Sequence, residues 1–251
     1  MPINYLRGLT APERTDLANR RLGRALAFVA GAANAGGFLA VGQYTSHMSG
    51  IVSSLADNLA LGQVAFVLSA ACAVAAFLGG AATSAIFINW GRQHEARSVY
   101  AMPLVLEAAL LLCFGLIGAR LDEHRVLYVP LAVALLCFVM GLQNAMITKI
   151  SKSEIRTTHV TGLVTDIGIE LGKAGYWNRG MLPDDSRFVR SDKRRLALLS
   201  SLLGMFFAGG IVGAIGFKQF GFISTVPLAS VLMLFAAIPV ADDLIAHWRR
   251  S

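Results

Sequence analysis

Residues 63–89 read QVAFVLSAACAVAAFLGGAATSAIFIN, a run of 27 residues without an Asp, Glu, Lys or Arg. As an α-helix such a run is about 40 Å long at 1.5 Å per residue. That exceeds the roughly 30 Å of a bilayer's hydrocarbon core. A charge-free stretch of this length points to a membrane span rather than to an unusually apolar soluble core. Outward from it, five more apolar runs cover about 24–44, 100–119, 127–148, 196–217 and 222–245. Each is near the roughly 20 residues that a spanning helix needs. Helix is required because a chain in lipid must satisfy its backbone polar groups within the segment. The short alternating segments of a β-barrel are not seen. The fold class expected is an all-α integral membrane protein with about six transmembrane helices.

Composition agrees. The 251 residues are 55% hydrophobic and 15% charged, against about 25% charged in a soluble domain. This organisation predicts an Arg-rich tail over 1–23 and a single membrane domain over 24–251, with a basic loop at 149–195. The polar start and the length of the first run argue for an uncleaved span rather than a signal peptide. Orientation follows from Lys and Arg. Five lie in the tail, two after the second run (Arg92 and Arg97), ten between Lys149 and Arg195, and Arg249 and Arg250 at the end. Those 19 of the 22 basic residues share one side; Arg120, Arg125 and Lys218 fall on the other. The positive-inside rule then sets both termini in the cytoplasm. The net charge of +7 is read as orientation and contact with an anionic leaflet, not as nucleic-acid binding. Cys72, Cys113 and Cys137 lie inside apolar runs without metal or disulfide spacing and are expected to be packing residues. With no phosphate loop, nucleophile elbow or metal-ligand cluster, the sequence predicts no cofactor, no metal and no enzyme.

Four landmarks recur in order. Asn34-Ala35 matches Asn144-Ala145, and His47-Met48-Ser49-Gly50 matches His159-Val160-Thr161-Gly162. Phe77-x-Gly79-Gly80 matches Phe207-x-Gly209-Gly210, and Pro103-Leu104 matches Pro227-Leu228. This predicts a duplication, residues 24–119 with 127–245. Three spans per unit make it an inverted repeat with a two-fold axis in the membrane plane, an architecture that recurs in transporters with the site at the repeat interface. The stretches 51–62 and 163–173, too short to cross, follow the two His-x-[Ser/Thr]-Gly turns.

Ala33-Asn34-Ala35-Gly36-Gly37-Phe38-Leu39 with Ser46-His47-Met48-Ser49-Gly50, and Gly141-Leu142-Gln143-Asn144-Ala145 with Val160-Thr161-Gly162, resemble the bacterial YoaK family of uncharacterised membrane proteins with about six spans. In the family's first half an Asp is common where this chain has Asn34, a Thr where it has Ser49 and an Asn where it has Ile51. The resemblance implies a multi-pass protein of the bacterial cytoplasmic membrane and brings no established substrate.

In the two turns, Gly50 and Gly162 would supply backbone freedom, and Ser49 or Thr161 would cap the short helix that follows. Such helices would aim free N–H groups and the positive dipole end into the bundle, suited to an anion or carboxylate. An ordinary loop followed by an interfacial helix would use the same residues. Asn34, His47, Ser49, Gly50, Asn144, His159, Thr161 and Gly162 are therefore the expected substrate-binding residues. Glu107 and Asp166 are the expected proton-coupling groups; Glu107 lies deep in an apolar run, where an ionised carboxylate at mid-bilayer costs roughly 2.5–3.5 kcal/mol. Lys173 lies near enough to Glu170 for a structural salt bridge. Gly79-Gly80 and Gly209-Gly210 are expected to let helices pack closely. The function expected is a small secondary transporter of a small polar or anionic solute. A dimeric channel is the first rival, which leaves a homodimer open; a membrane-embedded enzyme or assembly scaffold is the second.

Overall fold

The computed structural model describes residues 15–96, 98–151, 155–182 and 184–248. The side chains of 242, 244 and 246–248 lie outside that description. So do Arg7, Arg14, Arg97, Lys152, Arg249 and Arg250, which entered the orientation reading, and most of the expected tail. Among the described residues eight α-helices follow in order: α1 Asp16–Val41, α2 Met48–Ala60, α3 Val64–Gln93, α4 Ala101–Gly118, α5 Arg125–Ile150, α6 Val160–Ala174, α7 Lys193–Phe220 and α8 Thr225–Trp248. Among the described residues there is no strand.

Among the described residues five helical stretches are long and apolar enough to cross a membrane, the pattern of a multi-pass membrane protein. The fifth, Lys193–Ala241, is 49 residues long. It is broken at Gly221, whose φ of 62° suits a residue without Cβ, and a short 3-10 turn, Gly221–Ser224, separates α7 from α8. Helix α1 starts eight residues before the expected boundary. Thr15 caps it, its hydroxyl accepting from the Ala18 N–H at 3.2 Å, and Asp16 favours the positive end of the dipole. Residues 16–23, expected in a tail, therefore belong to the first long helix. At its other end Gly42, with φ 71°, returns its N–H to the Phe38 carbonyl at 2.8 Å, an αL stop.

Close backbone contact fixes the helix pairs. A Cβ on Gly31 would overlap the Phe206 carbonyl, and one on Gly209 the Phe28 carbonyl, which joins α1 to α7. A Cβ on Gly141 would overlap the Phe77 carbonyl, and one on Gly80 the Phe138 carbonyl, which joins α3 to α5. Small residues at such crossings let backbones meet, with Cα–H facing carbonyl oxygen. The contacts differ by one position from the sequence match: Phe206 and Gly209, not Phe207 and Gly210, meet α1 as Phe77 and Gly80 meet α5. Gly79 and Gly210, by contrast, have only ordinary van der Waals neighbours at 3.7 and 3.9 Å.

Helices α4 and α8 run antiparallel. The Ser98 N–H donates to Asp243 Oδ2 at 2.7 Å at one end, and Gly115 meets Thr225 at the other. Helices α1 and α5 are also antiparallel, since Gln143 Nε2 donates to the Leu26 carbonyl at 2.9 Å while Gly37 lies against Leu136. Of the three cysteines only Cys137 is a buried packing residue; Cys72 and Cys113 are exposed on the outer faces of their helices.

Candidate functional site

Asn34 and Asn144 hold the two turns. Asn34 Oδ1 accepts from the Ser46 N–H at 3.3 Å and from the Ser46 hydroxyl at 3.0 Å. Ser46 follows the end of α1, yet it bonds to a residue seven positions inside that helix, about 10 Å back along the axis at 1.5 Å per residue. The second half repeats this. The Thr157 hydroxyl donates to Asn144 Oδ1 at 3.3 Å, and Asn144 Nδ2 donates to the Thr158 hydroxyl and to the Met140 carbonyl at 2.9 Å. Asn144 lies six residues before the end of α5, about 9 Å back. In both places the chain leaves a long helix, folds back along it, and only then starts a short helix. Thr45 and Thr157, at the bottom of each fold-back, are buried.

Packing agrees with that depth. Ile51, in the first turn of α2, belongs to a buried cluster with Ala73 of α3 and with Val133 and Cys137 of α5. Ala73 lies nine residues into α3, about 14 Å from its start. The Cys137 thiol reaches the Thr45 carbonyl at 3.5 Å. The short helices therefore begin well within the length of the bundle.

Their capping differs from expectation. His47 and His159 occupy the N-cap positions, and neither helix has a side-chain cap. Ser49 and Thr161 already lie inside the first turn, where their hydroxyls are too far along to cap. Gly50 and Gly162 are helical, and neither has a positive φ. What they provide is room: a Cβ on Gly50 would strike the His47 ring, and one on Gly162 would sit 3.3 Å from His159 Nδ1. Each histidine folds over the start of its helix, above a residue with no side chain. Both histidines, Ser49 and Thr161 are exposed, as are Ser53, Ser54 and Thr165 on the same helices.

The second turn borders a cavity of about 550 Å³ between α6 and the start of α7. Arg156, His159, Asp166 and Arg195 form its polar side. Asp166 pairs with Arg195 at 3.1 Å, and Asp192 caps α7 by accepting from the Arg194 and Arg195 N–H groups. Glu170, one turn beyond Asp166, is buried and bonds away from the cavity. It meets Lys173 at 2.9 Å, the Asp192 N–H at 2.8 Å and the Ser191 hydroxyl at 3.3 Å. The Lys173 hydrogen bond first, then the Asp192 N–H, hold its carboxyl below the usual carboxylate range. It is a structural clasp between α6 and α7.

Glu107 lies elsewhere. It is fully buried in α4, about halfway between Ser98 and Gly115, whose contacts mark the two ends of the α4–α8 pair. Neither carboxyl oxygen has a hydrogen-bond partner among the described residues. The structure thus joins Asn34 to the first turn and Asn144 to the second. Among the described residues no hydrogen bond links the two turns to each other, or Glu107 to either. Residues missed in the sequence reading are Ser46, Thr157, Thr158, Arg156 and Arg195. The signal for two of them was visible, since Ser46 and Thr158 stand immediately before the two histidines.

No curated protein and no solved structure matches the chain significantly. A family profile does. It covers residues 22–238, from the first turns of α1 well into α8, and agrees with the resemblance carried by the asparagine and Thr-Gly motifs. The chain belongs to the family described as "Protein of unknown function (DUF1275)".

Proposed function

We propose that the protein is a small secondary transporter of a small polar or anionic solute, with its site between two inverted three-span repeats. The observation that carries this reading is the duplicated fold-back. Two short helices start inside the bundle, each on a turn tied to an asparagine of the preceding long helix. Irregular backbone at that depth is tolerated only where it is buried in protein or lines a cavity. Half-helices that begin there are a recurring device for holding solutes in transporters.

The inverted repeat is supported by exchange of contacts. Swapping the halves turns Gly31 against Phe206 into Gly141 against Phe77, and Gly209 against Phe28 into Gly80 against Phe138. The antiparallel course of α1 and α5 supports inversion rather than translation. On this reading α7 and α8 cross separately, which makes six spans, and the basic 149–195 end faces the cytoplasm. Asn34 and Asn144 set the turns. His47, His159 and the Ser49 and Thr161 faces line the solute path, and Glu107 carries a coupling proton through its fully buried carboxyl.

Purified protein in proteoliposomes tests this, with radiolabelled L-lactate, L-serine and chloride as probes. Saturable uptake of one of the three, weakened in Asn144→Ala and made pH-independent in Glu107→Gln, is the expected result. Uptake linear in concentration would replace the transporter by a channel. Uptake no greater than in protein-free vesicles would leave the scaffold.

A further inference from the structure

The two turns share a backbone plan but not a chemistry. The cavity at the second turn carries Arg156, Asp166 and Arg195. The turns correspond at a spacing of 112 residues, from His47 and His159. Helices α3 and α7 correspond at 129, from the Gly80 and Gly209 contacts. At those spacings the first half has Tyr44, Ser54 and Phe66 in place of the three charged residues. Tyr44 is stacked on Phe38 at 4.6 Å there, and Phe66 is exposed. At the corresponding positions the first half thus carries none of the three charges.

Two arginines and one aspartate leave the cavity with one surplus positive charge. The Asp166–Arg195 pair accounts for one arginine. Arg156 makes no hydrogen bond or ion pair with a described residue. Its guanidinium offers a planar fork that fits a carboxylate with two parallel hydrogen bonds. Leu163, Leu198 and Leu199 give the cavity an apolar wall. Such a wall gives a carbon tail somewhere to go and gives a bare inorganic anion nothing. At about 550 Å³ the space is within the range of small-molecule sites.

We propose that the cavity between α6 and the start of α7 is a binding site for a small, water-soluble monocarboxylate with a short apolar tail. Arg156 is the carboxylate partner, the leucine wall receives the tail, and the Asp166–Arg195 pair holds the site open on its far side. This deepens the transport reading by naming the solute class and the end at which it is held. It rests on that reading only for the use of the site, because binding is measured without flux.

The test is calorimetric titration of the full chain in phosphatidylcholine nanodiscs with butyrate, butylamine and inorganic phosphate. Butyrate should bind and the other two should not. Arg156→Gln should weaken butyrate by about tenfold or more, the worth of a charge-assisted pair, while Arg156→Lys recovers part of it. Tyr44→Phe, at the corresponding place in the other half, should leave the affinity unchanged. Butylamine or phosphate binding as tightly as butyrate, or equal butyrate affinity in Arg156→Gln, would overturn the proposal. Discs containing phosphatidylserine separate a solute from a lipid headgroup. Unchanged butyrate affinity supports the solute site, and loss of the butyrate signal assigns the arginine to the headgroup and ends the proposal. Binding without any flux would sink the transport reading alone.

Discussion

The glycine crossings give the sharpest forecast, because the sequence treats Gly79 and Gly80, and likewise Gly209 and Gly210, as equivalent pairs, and the structure does not. An alanine methyl at Gly80 or Gly209 would overlap a backbone carbonyl of the facing helix, Phe138 or Phe28. A methyl carbon there sits at least about 1 Å inside ordinary contact, for which carbon separations are near 3.5 Å. Neither partner is a flexible side chain, so the helices themselves must separate. A gap of that size forfeits a quarter to a half of each dispersion contact along the pair. Overpacking of this kind costs about 1–3 kcal/mol, which outweighs the roughly 1 kcal/mol that alanine gains over glycine in helix propensity. At Gly79 and Gly210 the new methyl meets neighbours at 3.7 and 3.9 Å, so only the propensity gain remains. Thermal unfolding in detergent, followed by tryptophan fluorescence, should therefore rank Gly80→Ala and Gly209→Ala several degrees below wild type. The same melts should show Gly79→Ala and Gly210→Ala at or above it. Equal losses at all four positions, or a silent Gly80→Ala, would refute the contact argument and the register built on it.

Two other outcomes follow from hydrogen bonds. Asn34→Asp should fold and melt like wild type, because the Ser46 N–H and hydroxyl both donate to Oδ1; Asn144→Asp should lose stability on the order of 1–3 kcal/mol, because its Nδ2 donates to a carbonyl, and equal melts for the two would contradict this. For Glu170 the folded carboxyl is held low by Lys173 and the Asp192 N–H, so its contribution is fully present above the ordinary glutamate value near 4.3 and is lost as pH falls through the depressed one; melting curves taken downward from pH 5 should show an acid-dependent loss that Glu170→Gln lacks, and an unchanged acid slope in that variant would count against the clasp.

The spans were legible because the absence of charge over twenty or more residues is a one-dimensional signal that packing cannot disguise. Their ends were less so. Helix α1 gains two turns beyond the apolar run because Thr15 and Asp16 start it well before Arg24. The landmark match was legible as a pattern, but which residues of it make the helix contacts was not. The string Phe206-Phe207-Ala208-Gly209-Gly210 offers two phenylalanines and two glycines, and a pattern match cannot tell which of each faces α1. Only the carbonyls of Phe28 and Phe206 decide that. The capping expectation failed for a related reason. Ser49 and Thr161 have the right chemistry in the wrong place, because the chain reaches each short helix already folded back and tied through Ser46 or through Thr157 and Thr158. The cavity was not legible at all: Arg156 and Arg195 are 39 positions apart, in a stretch that reads as one basic loop.

What the halves retain and what they change also bears on Glu107 and Asn34. Among the described residues the first-half asparagine is used only as an acceptor, a role that a carboxylate would also fill. The second-half asparagine gives and accepts at once, to Met140 and Thr158 and from Thr157, which an ionised carboxylate, an acceptor alone, does not do. The pair is therefore equivalent in position and unequal in bonding. Because Oδ1 of residue 34 faces two donors, its place asks for lone pairs and never for a proton. A proton-coupled cycle in this chain must then load its proton elsewhere, and among the buried carboxylates Glu170 is already bonded on both oxygens. Glu107, buried at the middle of α4 with two unengaged oxygens, is the one left with room for it among the described residues.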